Sequence, residues 1–255
     1  MNATATTDAV VELRAVCKDY GSGASLVRAV DHLSLTIPRG QFVSIMGPSG
    51  CGKSTLLGLI AGFDDPTAGQ AIVLGEDVAT LSETARCRHR ARHIGFVVQS
   101  FDLLPRLTVE ENVIMRLGPL GIHGRAAVGQ AQAVLDEVGI AESLWARYPG
   151  ELSGGQQQRV AVARALVAQP DLVLADEPTG NLDSTSGALV LDLLRTLNRE
   201  RGMSVVMVTH DHFAASYGHR TIEMTDGRIV LDVGLPPPDR RPTPLPIRRG
   251  ERCRG

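Results

Sequence analysis

The sequence carries almost no excess charge, no paired cysteines and no long apolar run. Across 255 residues the formal net charge is −2, a balance that gathers no nucleic acid, and no nucleic-acid partner is expected. The four cysteines, Cys17, Cys51, Cys87 and Cys253, stand far apart without a CxxC pair. That spacing is neither a disulfide framework nor a zinc motif, and it suits a reducing compartment. The opening residues, MNATATTDAVVELRAV, contain no basic stretch followed by an apolar core, and nowhere do about eighteen apolar residues follow one another. By itself the chain is therefore expected neither to enter nor to cross a membrane.

What is present is a hydrophobic fraction of 43%, enough for one substantial core and a smaller satellite lobe without disulfide or metal staples. Residues 1–9 are small and polar, and 234–255 (GLPPPDRRPTPLPIRRGERCRG) are rich in Pro and Arg, so both ends are expected to be disordered and 10–233 to fold. The tail's arginines would either touch anionic lipid or stay solvated. Apolar runs at 42–46, 172–175 and 205–208 lack alternation, as parallel strands covered on both faces do. Helical stretches are read at 53–61, 128–138, 156–168 and 186–200, each closed by a nearby Gly or Pro. The fold class is α/β, with a helical lobe inserted at about 100–167. Asp226-Gly227 predicts a type I′ hairpin turn between two β-prone segments.

Residues 47–54 read GPSGCGKS, the phosphate-loop pattern G-x-x-x-x-G-K-S/T, placed after a strand and before a helix as the pattern requires. Gly47, Pro48, Ser49, Gly50, Cys51 and Gly52 would wrap backbone N–H groups round a phosphate, helped by the positive end of the next helix. Lys53 would hold the β- and γ-phosphates, Ser54 would place its hydroxyl on Mg2+, and Thr55 would support the α/β side. Kinases, GTPases and motor ATPases share this loop, so it indicates a nucleoside triphosphate and no particular family. Cys51 is read in two ways: a thiol favoured as thiolate by the helix N-terminus, whose modification would block ATP binding, or a residue tolerated because it is small.

LVLADE at 172–177 ends an apolar strand in two acids at the carboxyl edge of the sheet. Asp176 would hold Mg2+, and Glu177 would orient or deprotonate the attacking water. LSGGQQQR at 152–159 matches the signature that only ABC ATPases carry, and on these motifs the chain resembles that family over about residues 10–232. Ser153 caps a helix whose first N–H groups Gly154 and Gly155 leave uncovered, with Gln156 beside them, which makes a second anion site. The resemblance implies a phosphate-loop NTPase core with a mostly parallel sheet and an N-terminal antiparallel β part. It also implies that ATP is sandwiched between the phosphate loop of one subunit and the signature of another. It casts Gln99 as a contact to Mg2+ and the hydrolytic water, His210 as the γ-phosphate switch, Asp183 as part of the loop linking the two sites, and Tyr20 as the ring stacked on adenine.

The run FVVQSFDLLPRLTVEENV, with LADEPTGNLDS and VTHD, resembles the branch of lipoprotein-releasing, macrolide-export and cell-division ATPases. That branch implies an ATP-hydrolysing subunit, expected as a homodimer, whose closure drives a separate transmembrane permease from the cytoplasmic face of the membrane. Phe101, Leu103, Leu104, Leu107, Val109 and Val113 would offer the permease an apolar surface. A soluble ABC ATPase of the iron–sulfur assembly kind is the alternative.

Overall fold

The structure is a computed structural model that describes residues 8–234. The expectations for 1–7 and 235–255 lie outside the described residues.

Two sheets are present. The first is antiparallel and contains β1 (Ala9–Tyr20), β2 (Val27–Pro38), β4 (Ala68–Val73) and β5 (Glu76–Asp77) in the order β2-β1-β4-β5. The second runs β10-β9-β3-β8-β7-β6, with β3 at Phe42–Met46, β6 at Ile94–Val98, β7 at Leu172–Asp176, β8 at Ser204–Thr209, β9 at Arg220–Thr225 and β10 at Arg228–Gly234. All its pairings are parallel except β9 with β10. In the turn joining those two strands Asp226 and Gly227 sit at φ +48° and +75°, as the type I′ geometry requires.

The central strands explain their own lack of alternation. Every residue of β3 and β8 is buried, and successive side chains feed two different cores. Phe42, Val173, Ala175, Val205 and Met207 join the cluster under the helical lobe, while Val43, Ile45, Leu172, Leu174, Val206 and Val208 join the one under the antiparallel sheet. Each buried Val, Leu, Ile, Phe or Met among them contributes about 1.5–3 kcal/mol by leaving water, so a polar residue on either face would be costly.

The helices are α1 (Lys53–Ala61), α2 (Glu83–His93), α3 (Val109–Ile114), α4 (Gly124–Glu137), α5 (Gly154–Leu166), α6 (Ser184–Arg201) and α7 (His212–Ala215). The α2 segment, ETARCRHRARH, has no apolar stripe to read and buries only Arg86 and Ala91. It is fixed instead by its ends: the Ser82 hydroxyl accepts from Ala85 N (3.3 Å), and Arg90, Arg92 and His93 face the negative end of the helix dipole. From 99 to 171 no strand interrupts the helices and turns. Asn112, wholly buried in α3, organises the loop before it by accepting from Leu104 N and donating to the carbonyls of Leu104, Leu107 and Thr108.

Candidate functional site

The parallel strands end on one edge. Their register aligns Val98 with Asp176, Asp176 with Val208 and Val208 with Ile45. The residues that follow each strand, Gln99, Glu177, His210 and the loop from Gly47, therefore emerge side by side where open α/β sheets bind ligands.

The loop 47–52 is tightly moulded. Gly52 has φ +100°, and a Cβ there would stand 2.1 Å from the Ala29 carbonyl oxygen, so only glycine fits. Lys53 is nearly buried and donates to the carbonyls of Gly47 (2.7 Å) and Pro48 (2.9 Å), its ammonium folded back over the loop. Cys51 is also buried, with Sγ 3.9 Å from Lys53 Nζ. The thiol thus fills space beneath the loop, and a reagent would have to open the loop to reach it.

The Ser54 hydroxyl donates to Asp176 Oδ1 at 3.2 Å, bringing two oxygen ligands from α1 and β7 together. Burial pushes the Asp176 carboxyl above its ordinary value, and the Ser54 hydrogen bond opposes that. Such a pair of oxygens suits a hard dication, which would repay the cost of an ionised carboxylate here. Glu177 adopts φ +47°, a conformation that costs about 1–3 kcal/mol for a residue with a side chain and gathers at functional sites. It is held there by its N–H on the Val208 carbonyl and its own carbonyl on Gly180 N, both at 3.0 Å. Its carboxylate lies 2.8 Å from His210 Nδ1. Gln99 is turned to Asn181 in a reciprocal pair: its Nε2 donates to Asn181 Oδ1 (3.1 Å) and Asn181 Nδ2 donates to the Gln99 carbonyl (3.0 Å). It is therefore not joined to Ser54 and Asp176 in this conformation.

Ser153 and Gln156 form a capping box at the start of α5: the Ser153 hydroxyl accepts from Gln156 N (3.3 Å) and Gln156 Oε1 accepts from Ser153 N (2.8 Å). The glycines serve packing as well as an open helix end. A Cβ on Gly155 would come within 2.9 Å of Ser186 Oγ in α6, whereas one on Gly154 would make ordinary contact with Leu182 at 3.6 Å. Asp183 caps α6 by accepting from Ser186 N (2.9 Å). Tyr20, 43% exposed, keeps its ring open while its hydroxyl donates to Asp64 Oδ2 (2.8 Å) and Lys18 Nζ stands 5.0 Å from the ring centre.

Two residues not singled out in the sequence tie these parts together. Gln158 is wholly buried and donates to the carbonyls of Pro178 (2.6 Å) and Val98 (3.3 Å), bridging the ends of β7 and β6. Arg164 donates to the Phe101 carbonyl (2.9 Å) and to that of Asp102, fixing a loop whose residues 101 and 102 both have positive φ. The apolar surface expected over 101–113 needs one correction. Val109 and Val113 are fully buried in the helical-lobe core, because α3 turns that face inward. Leu103 and Leu104 do line an open groove, a cavity of about 550 Å³ whose other walls include Phe63, Phe96, Arg90 and Arg116.

A family model described as ABC transporter matches residues 30–180. The chain belongs to the ABC transporter family. This ABC ATPase is 45% identical over 223 residues to the lipoprotein-releasing system ATP-binding protein LolD of Geobacter metallireducens, covering 88% of the chain and 99% of that protein. It is 43% identical over 221 residues to the macrolide export ATP-binding/permease protein MacB of Shigella flexneri, covering 87% of the chain and 34% of that longer protein. A dimeric post-hydrolysis structure of the ATP-binding cassette MJ0796, bound to ADP and phosphate, superposes with a TM-score of 0.82 at 40% identity, covering 89% of this chain and 99% of that one. The protein is thus an ATP-binding, ATP-hydrolysing subunit of the transporter type, in the branch that contains LolD and MacB. The helical region read from the strand-free stretch and the antiparallel N-terminal sheet implied by the resemblance are both present. No helix among the described residues is long and apolar enough to cross a membrane.

Proposed function

We propose that two copies of this chain close on two ATP molecules, each held between residues 47–55 of one copy and Ser153–Gln156 of the other, and that the stroke drives a separate permease at the cytoplasmic face of the membrane. The observation that carries this reading is the capped, glycine-opened start of α5, an anion site rooted on the 177–186 loop and α6. In this scheme Tyr20 stacks on the base, Lys53 leaves the loop carbonyls for the phosphates, and Thr55 supports the α/β side. Ser54, Asp176 and Gln99 would hold Mg2+, which would neutralise charge on the phosphate oxygens. Asp183 places the loop that connects one site to the next.

Glu177 orients the attacking water and takes its proton. Its partner imposes a condition. A neutral His210 that donates Nδ1–H to Glu177 has only a lone pair at Nε2, so it can donate to a phosphate oxygen only after gaining a proton or releasing Glu177. Either change alters what Glu177 is hydrogen-bonded to as nucleotide arrives, which would link hydrolysis to closure.

Dimerisation can be tested without the permease. With Mg2+ and a slowly hydrolysed ATP analogue the chain should sediment as a dimer. Gly154→Asp, which adds a carboxylate with little steric cost, should bind nucleotide normally yet lose dimer affinity by more than about a hundredfold, since like charges brought together cost several kcal/mol. A dimer of undiminished affinity in that variant would overturn the shared site.

The groove beside β6 supports the permease reading. Phe63 is 61% exposed, packed edge-on against Phe96 (centroids 5.4 Å apart) and under the Arg90 guanidinium (5.2 Å). Arg116 and Arg164 lie half-buried beside it, and burial lowers the pKa of both guanidinium groups. An amphipathic helix bearing a carboxylate matches such a lining. Phe63→Ser should weaken permease capture in mild detergent about 5–30-fold, the loss of an aromatic anchor, with basal ATPase activity unchanged. Unweakened capture would place the contact elsewhere.

A further inference from the structure

Cys17, Asp31 and His32 come together away from the phosphate-binding edge. Val16 pairs with Leu33 and Lys18 with Val30, so one residue of β1, Cys17, faces two residues of β2. This is a β-bulge, a device that re-aims side chains and recurs beside functional sites. His32 takes the strained position, at φ +48°. The result is that one ligand atom from each of the three residues lies within 4.8 Å of the other two.

We propose that this bulge is a binding site for a zinc-class divalent cation, with Cys17 Sγ, Asp31 Oδ1 and His32 Nδ1 as protein ligands and water completing a four-coordinate shell. A thiolate, an imidazole and a carboxylate form the mixed donor set that a borderline-soft ion prefers. His32 Nδ1 and Asp31 Oδ1 are 2.7 Å apart; on binding, the neutral ring keeps its one proton on Nε2 and offers the Nδ1 lone pair to the cation, while the Cys17 thiol proton passes to water. The thiolate and the carboxylate bring two negative charges to the cation, and Arg228 shares the carboxylate through its other oxygen.

The surroundings are built for this. Cys17 and the Asp31 carboxylate are almost buried while the His32 ring is open to solvent, so the ion has two fixed ligands and an entry side. Asp31 Oδ2 is anchored by Arg228 (Nε at 2.7 Å), which orients the carboxylate and leaves Oδ1 toward His32, as partners behind metal ligands do. Arg28 approaches Oδ1 only at 3.5 Å and spends its guanidinium on Asp19, at 2.8 and 3.1 Å. The His32 N–H points at Cys17 Sγ (3.3 Å), stabilising a charged sulfur.

The test uses the full chain carrying Cys87→Ser and Cys253→Ser, so that neither Cys87, which is exposed, nor Cys253 contributes. Equilibrium dialysis with Zn2+ should give one bound ion per chain, and Co2+ should give a thiolate-to-cobalt charge-transfer band. Cys17→Ser should abolish the band. His32→Gln, which replaces a ring open to solvent, should weaken Zn2+ by more than the roughly 10–100-fold typical of outer partners. Stoichiometric binding without the cobalt band, unchanged affinity in His32→Gln, or no binding to the parent chain would each overturn the site.

Discussion

Glu177→Gln should lower ATP turnover by about 10²–10⁴-fold, the range that a positioned general base contributes, while ATP still binds. The amide keeps the size and reach of the carboxylate but can neither take a proton from water nor carry its charge. The strained backbone at φ +47° is held by the Val208 and Gly180 hydrogen bonds, which the substitution leaves in place, so the loss reports chemistry and not unfolding. The complex with Mg-ATP should accumulate as a closed dimer, because the step that separates the copies is removed. Phosphate release and sedimentation read the two effects separately. Turnover within about tenfold of the parent would remove Glu177 from the base role, since general-base catalysis is worth more than that.

Lys53→Ala should cost about 1.5–3 kcal/mol of nucleotide affinity, the worth of a charge-assisted contact, or roughly 10–150-fold in Kd. The ammonium also donates to the Gly47 and Pro48 carbonyls. Removing it therefore releases two acceptors at the loop as well as a phosphate ligand. Calorimetric titration with ATP checks the affinity, and a thermal melt of the empty variant reports how much of the change is loosening of the loop. Unaltered affinity would mean that the lysine serves the loop's shape alone.

The parts of this site that can be read from sequence are those in which a short contiguous run carries the whole function. The run from 47 to 55 encodes its strand exit, its turn and its helix start, and the expected helix from 53 to 61 coincides with α1. The acids of LVLADE and the cap of LSGGQQQR are similarly local. Legibility ends where a property is made by distant segments. Gln158 gives no sign in sequence that its amide reaches Val98 and Pro178. The groove collects residues from α1, α2, β6, α5 and the loop before α3, while the resemblance placed Val109 and Val113 on a permease-facing surface although their face turns to the core. The bulge opposite Cys17 depends on a register slip between two strands, so the wide spacing of cysteines said nothing about a thiol joined by His32 and Asp31.

One helix runs from the proposed nucleotide interface to the loop beside the groove. Ser153–Gln156 open α5 at the proposed nucleotide interface, and Arg164, about 16 Å further along by helical rise, grips the Phe101 and Asp102 carbonyls beside the groove. Gln158 fastens the middle of the same helix to the ends of β6 and β7. An α-helix transmits axial force with little compression, so α5 can act as a pushrod: displacement at its first turn reappears at the groove loop without any relay of side-chain rearrangements. Softening the rod in the middle would then uncouple the engine from its load while leaving each end intact.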